Sequence, residues 1–333
     1  MINFFKNLLI YWRFKKKNKD YYYVFFNEND YTFNYLDEII RKKLLRNKAV
    51  LFFSLKKIDS YKHDQINLNS NFFIKLFFLT LKTKFVFTTS TDLQNSIFLK
   101  SKTQKNFYIF IQHSPVSLSA NYTKKAFIEF DAVQVINKHQ FNDLNDINNL
   151  FKKKIKPIRS KYNFLEKYKK VNNVGKIDFL IAPTWKTNFY DDDLHLSLIK
   201  LFQENNLSFK LRPHPMSIIK KEIVIDESLI DFIDQDNLVD FKKYKNLVSD
   251  WGGIFLEFAI LNKTMPFLIN TKQKILNSDY LMFSNPPIEN YARKIVGVNI
   301  ETNNLVEIIN IIKSNQIDKS KMVDNFYLEN FYT

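Results

Sequence analysis

The sequence predicts an α/β protein with two Rossmann-like, parallel-sheet domains that face a central cleft. Its strand-like runs are continuously apolar rather than alternating, which is typical of parallel strands buried on both faces. Helical or polar segments separate these runs, as a doubly wound sheet requires. The pattern also occurs twice in the 333 residues, on either side of a polar segment at 159–176. We therefore expect an N-terminal domain at 1–160 and a C-terminal domain at 161–333.

The individual elements follow from the apolar runs and from helical periodicity. In the first half, strands are predicted at 21–26, 49–55, 84–88, 107–112, 132–136 and 155–158, and helices at 35–46 and 72–81. In the second half, strands are predicted at 177–182, 209–211, 238–241, 247–248, 267–269 and 295–298, and helices at 192–204, 254–261 and 305–313.

The most informative stretch is residues 245–270, KNLVSDWGGIFLEFAILNKTMPFLIN, which reads as strand, tight turn, helix and strand. Its turn holds Gly252 and Gly253, two of only four glycines in the chain. Glycine permits a positive φ or a close approach of the backbone to a ligand. The helix that follows offers unpaired N–H groups and a positive dipole end to an anion such as a pyrophosphate. An ordinary tight turn is the alternative.

Composition limits the classes of function. The chain has no cysteine, which excludes disulfides, thiolate metal sites and cysteine nucleophiles. We find neither a signal peptide nor an uncharged run of about 18 residues, and we expect a soluble, intracellular protein. The net charge of +16 fits an anionic membrane, a phosphate-rich substrate or nucleic acid, but it also fits the composition of an AT-rich genome. No nucleic-acid-binding signature is present, so no nucleic-acid partner is expected.

The N-terminal stretch 1–19, MINFFKNLLIYWRFKKKNK, combines an apolar helical pattern, an aromatic anchor and a basic flank. Such a helix can lie on an anionic membrane surface but is too short to span it. Packing of this helix on the neighbouring domain is the alternative.

Polar residues follow four predicted strands, at the edge where parallel sheets bind ligands. These segments are His113-Ser114-Pro115, Thr184-Trp185-Lys186, Arg212-Pro213-His214-Pro215 and Ser249-Asp250-Trp251-Gly252-Gly253. Three of the four come from the second half and bring together cationic side chains, a histidine and a glycine turn. The sequence therefore predicts an anion site in the C-terminal domain.

Three of these motifs, IAPTWK, KLRPHP and SDWGGIFLEF, occur in an order and spacing that resemble the CDP-glycerol glycerophosphotransferase family, the teichoic-acid polymerases and their relatives. The upstream segment FIQHSPVSLSANYTKKAFIEFDAVQVINKHQF resembles that family's histidine-proline loop, and the resemblance covers roughly residues 105–270. It implies a GT-B fold whose C-terminal domain binds the nucleotide-linked donor. It also implies transfer of polyol phosphate from a CDP-linked donor to a polymer or lipid-linked acceptor at the cytoplasmic membrane face.

The resemblance also assigns roles to residues. His113 matches the acceptor-side base, and His214 matches the histidine that faces the donor phosphates. Ser249 and Asp250 open the donor-binding turn, and Glu257 matches an acidic residue on the next helix. The remaining residues predicted to bind the donor are Thr184, Trp185, Lys186, Arg212, Gly252 and Gly253.

Two departures from the family pattern put the identity of the donor in doubt. The usual glycine after the first histidine is absent at Ser114, and a hydroxyl-bearing pair is replaced by Gly252-Gly253. Backbone N–H groups at these glycines could replace the lost hydroxyls as phosphate ligands.

The implied chemistry needs a base for the acceptor hydroxyl and positive charge for the departing nucleotide. A histidine is neutral in part near pH 7 and can be that base. Arginine, a second histidine and a helix N-terminus can stabilise the leaving charge. The acidic run Asp191-Asp192-Asp193 heads a predicted helix, where carboxylates suit the helix dipole, so no metal site and no cofactor are predicted.

Two alternatives remain open at the sequence level. One is a sugar-nucleotide enzyme similar to UDP-N-acetylglucosamine 2-epimerase, whose Ser-Gly-Gly turn before an acidic helix resembles 249–257. The other is a catalytically degenerate GT-B domain that only binds. For the transferase we expect a cytoplasmic protein held peripherally on the inner face of the plasma membrane.

Overall fold

The computed structural model describes residues 2–17, 23–27, 49–53, 65–91, 93–94, 96–168, 175–236, 239–314 and 320–332. By its internal contacts the chain forms two compact units. The first comprises Met1–His113, Thr123–Ile136 and Phe141–Phe164, and the second comprises Ser114–Tyr122, Asn137–Gln140 and Leu165–Thr333. The single division after residue 160 stays a prediction.

The first unit contains a seven-stranded sheet in the order β3-β2-β1-β4-β5-β6-β7. Its strands are β1 Tyr23–Asn27, β2 Ala49–Phe53, β3 Gln65–Asn67, β4 Phe85–Thr88, β5 Phe107–Phe110, β6 Ala132–Val135 and β7 Lys156–Arg159. All the pairings are parallel. The order from β3 to β6 is that of a Rossmann sheet, so the predicted doubly wound, parallel architecture is confirmed here.

The second unit contains a five-stranded sheet in the order β12-β11-β10-β8-β9, again parallel throughout. Its strands are β8 Ile177–Ile181, β9 Phe209–Leu211, β10 Tyr244–Ser249, β11 Phe267–Ile269 and β12 Val298–Ile300. A buried apolar cluster packs on this sheet, and in it the rings of Phe179 and Phe202 stack 4.2 Å apart. Two parallel-sheet α/β domains are therefore present, as predicted.

The helices lie between these strands. They are α1 Ile2–Lys17, α2 Asn71–Thr80, α3 Leu118–Asn121, α4 Lys138–Phe151, α5 Asn163–Tyr168, α6 Leu194–Glu204, α7 Pro215–Ile219, α8 Ile254–Asn262, α9 Ile288–Val296, α10 Val306–Lys313 and α11 Ser320–Asn330. Short 3₁₀ turns occur at Ile230–Phe232, Phe241–Lys243 and Tyr280–Met282. Within the ranges given above, no helix combines the length and the apolarity that a membrane crossing needs.

Helix α1 packs on α2 through one of its faces. Asn7, Tyr11 and Phe14 on this face are buried and recur at helical spacing. The Tyr11 hydroxyl hydrogen-bonds Thr80 Oγ1 at 2.9 Å, and the Phe14 and Phe77 rings lie 4.6 Å apart. The alternative that this helix packs on its own domain is thus correct for one face.

The opposite face of α1 is exposed and apolar. Phe5, Leu9 and Trp12 are each more than half exposed, and Leu8 beside them is 41% exposed. The Lys16 ammonium lies over the Trp12 ring at 3.6 Å, so basic charge borders the apolar face.

One predicted strand is wrong and another is displaced. The run predicted at 238–241 ends in the 3₁₀ turn Phe241–Lys243, where the Asp240 carboxylate accepts a hydrogen bond from Lys242 N, and β10 begins after it. The strand predicted at 295–298 begins only at Val298, as β12, because residues 295 and 296 end helix α9, in which Ile288, Ala292 and Val296 are buried at helical spacing. The helix predicted at 35–46 lies outside the described residues.

Candidate functional site

The second sheet has a topological switch point between β8 and β10. Its strand order is that of a flavodoxin-like sheet, in which the connections from the two central strands leave towards opposite faces and a ligand binds between them. The segment after β8 carries Thr184, Trp185 and Lys186, and the segment after β10 carries Asp250 and the two glycines. Residues that the sequence marked as polar strand ends therefore lie where this fold class binds ligands.

Asp250 holds the ends of three strands together. Its side chain is fully buried, and Oδ1 accepts hydrogen bonds from Thr184 N at 2.8 Å and Trp251 N at 2.7 Å. Oδ2 accepts from the hydroxyls of Thr187 at 2.9 Å and Thr271 at 3.4 Å. Burial raises the pKa of this carboxyl, while these hydrogen bonds oppose the shift. The carboxylate faces protein donors, so it positions the loops.

Arg293 on α9 completes this arrangement from the other side. Its guanidinium donates to the carbonyls of Asp250 at 2.6 Å and Leu268 at 3.2 Å, and to Asn270 Oδ1 at 2.6 Å. Burial lowers its pKa to about 10, with Asp250 acting against the shift. No sequence motif pointed to Arg293, because it lies on a helix that the sequence pattern does not predict.

Close packing leaves no room for a Cβ at Gly253 and little room for one at Gly252. Gly253 has a φ of −64°, and no described glycine has a positive φ. A Cβ at Gly253 would overlap Ser114 Oγ and lie 3.1 Å from Pro115 Cδ, and one at Gly252 would lie 3.2 Å from Thr184 Cβ. The close approach that the glycines permit is therefore made by the chain itself, through the segment that follows His113.

The segment Ser114–Tyr122, which we call the 114–122 loop, is fixed within the second unit. Glu289 Oε1 accepts hydrogen bonds from Ser117 N at 2.9 Å and from Asn121 Nδ2 at 2.6 Å. Gln140 Nε2 donates to the Val116 carbonyl at 2.8 Å. Burial raises the pKa of Glu289. No sequence motif pointed to Glu289, because its partners lie more than 160 positions away.

His214 is the N-cap of helix α7. Its Nδ1 accepts a hydrogen bond from Met216 N at 3.0 Å, so the ring proton of the neutral imidazole is on Nε2. The ring lies 6.3 Å from the Trp185 ring. The structure therefore places the His214 and Trp185 rings near each other, with the proton of the neutral His214 ring on Nε2.

The predicted cationic residues differ in their surroundings. Arg212 donates from one guanidinium nitrogen to Asp234 Oδ2 at 2.9 Å and to the Asp236 carbonyl at 2.8 Å, so this end of its fork is already used. Lys186 has an exposed side chain and a left-handed backbone, with its N–H held by the Glu222 carboxylate.

Ser249 and Glu257 are buried. The Ser249 hydroxyl donates to the Ala182 carbonyl at 2.7 Å, and Glu257 lies in the first turn of α8 with 4% of its surface exposed. Ser249 thus joins the ends of β10 and β8.

His113 follows β5 and belongs to the first unit. It is half-buried, its ring lies 6.4 Å from the Phe110 ring, and its carbonyl accepts a hydrogen bond from the Tyr162 hydroxyl at 3.0 Å. Its role at an acceptor stays a prediction.

Across the described ranges, no three His, Asp or Glu side chains gather as a metal site would require. Asp191, Asp192 and Asp193 are exposed, and Asp193 is the N-cap residue of α6.

Two doubly wound, parallel-sheet domains in one chain, with the site at the switch point of the second, define the GT-B class. No family model matches the chain, and no curated protein matches it in sequence. Among solved structures it is similar to the wall teichoic acid polymerase TagF, with a TM-score of 0.57, 16% identity and coverage of 98% of this chain and 92% of that one. A histidine variant of TagF gives a TM-score of 0.60 at 14% identity over 99% and 93% of the two chains. The same variant soaked with CDPG gives 0.56 at 16% identity over 98% and 92%. At these identities the likeness establishes the fold, so the fold that the sequence resemblance implied is confirmed.

The Asp250 contacts lead to a stability prediction. Asp250→Ala should lower the free energy of unfolding by roughly 2–5 kcal/mol, because it leaves buried N–H groups without an acceptor. Asp250→Asn should cost less than about 1.5 kcal/mol, since its oxygen still accepts from the N–H groups and its amide can donate to the threonine hydroxyls. Urea unfolding of the three proteins measures both, and equal losses would contradict the assignment.

The raised pKa of Asp250 sets the sign of the pH dependence. A carboxyl with a raised folded-state pKa gives stability that is present below its unfolded pKa and lost as pH rises through the folded value. The stability of Asp250→Asn relative to the unmodified protein should therefore improve as pH rises from about 4 towards 8.

Proposed function

We propose that the protein is a transferase that moves a polyol phosphate, such as glycerol phosphate, or a glycosyl group from a nucleotide-linked donor to a surface polymer or its lipid-linked acceptor. The observation that carries the proposal is the switch point of the second sheet, with Trp185 and His214 side by side in a fold shared with TagF. A CDP-linked donor is our first choice, because a TagF variant was soaked with CDPG.

In this proposal the donor binds along the loops that follow β8, β9 and β10. His214 Nε2–H and the Lys186 ammonium face the phosphates, together with the N-terminus of α8. Arg212 fixes the end of β9 through Asp234. The buried residues Thr184, Ser249, Asp250, Gly252, Gly253 and Glu257 shape these loops.

His113 is the proposed acceptor-side base. Its imidazole takes the proton of the acceptor hydroxyl as that oxygen attacks the donor. With a CDP-polyol donor the oxygen attacks the phosphorus that bears the polyol, the bond to the bridging oxygen breaks, and CMP leaves with the electron pair. Donors such as His214 and the α8 N-terminus stabilise the charge on the leaving nucleotide.

A thermal-shift screen tests the proposed donor class. CDP-glycerol, CDP-ribitol, CMP, UDP and UDP-sugars are compared on the full chain, and CDP-linked ligands should stabilise it most. At a hundred times the dissociation constant, stabilisation of about 2.7 kcal/mol is expected. Stabilisation by UDP-sugars alone would favour an epimerase-like enzyme instead, and a response to none of these ligands would contradict a nucleotide-linked donor.

Substitutions of His113 and His214 should have different effects on donor affinity and turnover. His113→Ala should leave donor affinity nearly unchanged and lower turnover by roughly 10²–10⁴-fold, the usual contribution of a general base. His214→Asn should weaken donor binding about tenfold or more, because it removes the Nε2–H donor. Asparagine keeps the N-cap of α7, so this variant separates ligand binding from helix stability. Calorimetry and transfer of a radiolabelled donor measure the two quantities, and a similar loss of affinity in both variants would place both histidines on the donor side.

We also propose that the exposed face of α1 binds the anionic inner face of the plasma membrane. Phe5, Leu9 and Trp12 supply apolar surface, and Arg13 and Lys16 supply basic charge for anionic headgroups. The buried face keeps the helix attached to the domain, so the two faces have separate roles.

A double substitution, Leu9→Glu with Trp12→Glu, tests this surface without disturbing the buried face. It should release the protein from vesicles that contain anionic lipid, and binding of the unmodified chain should fall as salt rises from about 0.05 to 0.5 M. Leu328→Glu on α11, which changes a side chain that is 65% exposed, is the matched control and should bind normally. Vesicle co-sedimentation measures all three, and normal binding of the double variant would exclude this face as the anchor.

A further inference from the structure

Lys274, in the segment after β11, is a buried lysine with no acceptor among the described residues. Only 9% of its surface is exposed, although lysine is almost never buried unless it is paired. Its ammonium lies 5.1 Å from the centroid of the Trp185 ring. Among the residues that the structure describes, it forms neither a hydrogen bond nor an ion pair.

The carboxylates that face Lys274 are engaged elsewhere. Asp250 accepts hydrogen bonds from Thr184 and its neighbours, and Glu222 accepts from the backbone N–H of Lys186. Glu289 uses Oε1 for the 114–122 loop, while its Oε2 is sealed from solvent without a hydrogen-bond partner. The Lys274 ammonium is not sealed in this way. Its cationic charge is therefore desolvated but open to an anion from outside the chain.

Lys274 lies among the residues of the proposed donor site. The ring of His214 is 6.3 Å from the same Trp185 ring that Lys274 overlies. The Trp251 indole N–H donates to the Thr271 carbonyl at 2.8 Å, which fixes the start of the lysine's segment against the β10 turn. Lys274 thus belongs to a third strand end, beside the segments that follow β8 and β9.

We propose that Lys274 binds a phosphate of the nucleotide-linked donor, whose oxygens supply the acceptor that the described residues do not. The ligand class is a nucleoside diphosphate or its conjugate, and the inference rests on the proposed function. A compact, desolvated ammonium interacts strongly with a phosphate, because little water is left to screen the pair.

The surroundings of Lys274 give this role a pH signature. Burial lowers its pKa to about 8; Glu289, Asp250 and Glu222 act against the shift, and the Lys186 ammonium adds to it. The unliganded lysine is therefore mostly charged at pH 7 and mostly neutral at pH 9. A bound phosphate favours the charged form, so binding takes up a proton at high pH. Affinity should fall by up to about tenfold between these two pH values.

The test is calorimetric titration of the full chain with CDP and UDP at pH 7 and pH 9. Lys274→Met should bind about 10- to 100-fold more weakly at pH 7 and lose most of the pH dependence. Lys274→Arg, which keeps its charge at both pH values, should bind more tightly than the Met variant and show little pH dependence. Lys272→Met, two positions away with an exposed side chain, is the control and should behave as the unmodified protein.

The outcomes separate the two proposals. If the unmodified chain binds neither nucleotide, the proposed function fails and the role of Lys274 fails with it. If the unmodified chain binds and Lys274→Met binds equally well with the same pH profile, only the assignment of Lys274 is overturned. A Lys274→Met variant with lower thermal stability but normal affinity would also overturn it, by showing that the lysine only balances the charge of Glu289.

Discussion

The buried carboxylate of Asp250 is the constraint on which the candidate site depends. A desolvated charge is tolerated only when its oxygens are fully hydrogen-bonded, and losing such partners costs several kcal/mol. Asp250 takes its partners from the segments after β8, β10 and β11, so each of these loops has one arrangement that satisfies it. Trp185 and Lys274 extend from two of the same loops. Asp250 thus fixes the positions of Trp185 and Lys274, although its own carboxylate faces protein donors.

The 114–122 loop packs against the Gly252-Gly253 turn although the two segments are far apart in the sequence. Residues 114–116 fill the space that a side chain at Gly253 would occupy, and Glu289 accepts two hydrogen bonds from the loop. The unit boundary falls between His113 and Ser114, so the residue proposed as base and the loop that follows it belong to different compact units. Substitutions at 114–116 should therefore disturb the glycine turn, which lies in the same unit as the loop.

Much of the fold could be predicted from local pattern, because buried parallel strands need continuous apolar runs. The strand-turn-helix-strand unit at β10, α8 and β11 has the predicted order and parallel pairing. Strand β3 was missed because Gln65–Asn67 contains a single apolar residue. For the candidate site, local pattern indicates less. Strand ends mark Trp185 and His214, but whether Arg212 is paired with Asp234 depends on tertiary contacts that no local pattern records.

The arginines and the lysine of the candidate site differ in their roles because their cationic groups differ in shape. The planar fork of arginine suits several fixed acceptors at once. Arg293 donates to three carbonyls and an amide oxygen, and Arg212 donates to a carboxylate and a carbonyl. Both arginines therefore stabilise the loops. A lysine is a point charge on a flexible stem, and Lys274 is buried over an indole with no acceptor among the described residues. The charges that hold the loops are thus different from the charge that we propose for phosphate binding, so substitutions can change either one at a separate position.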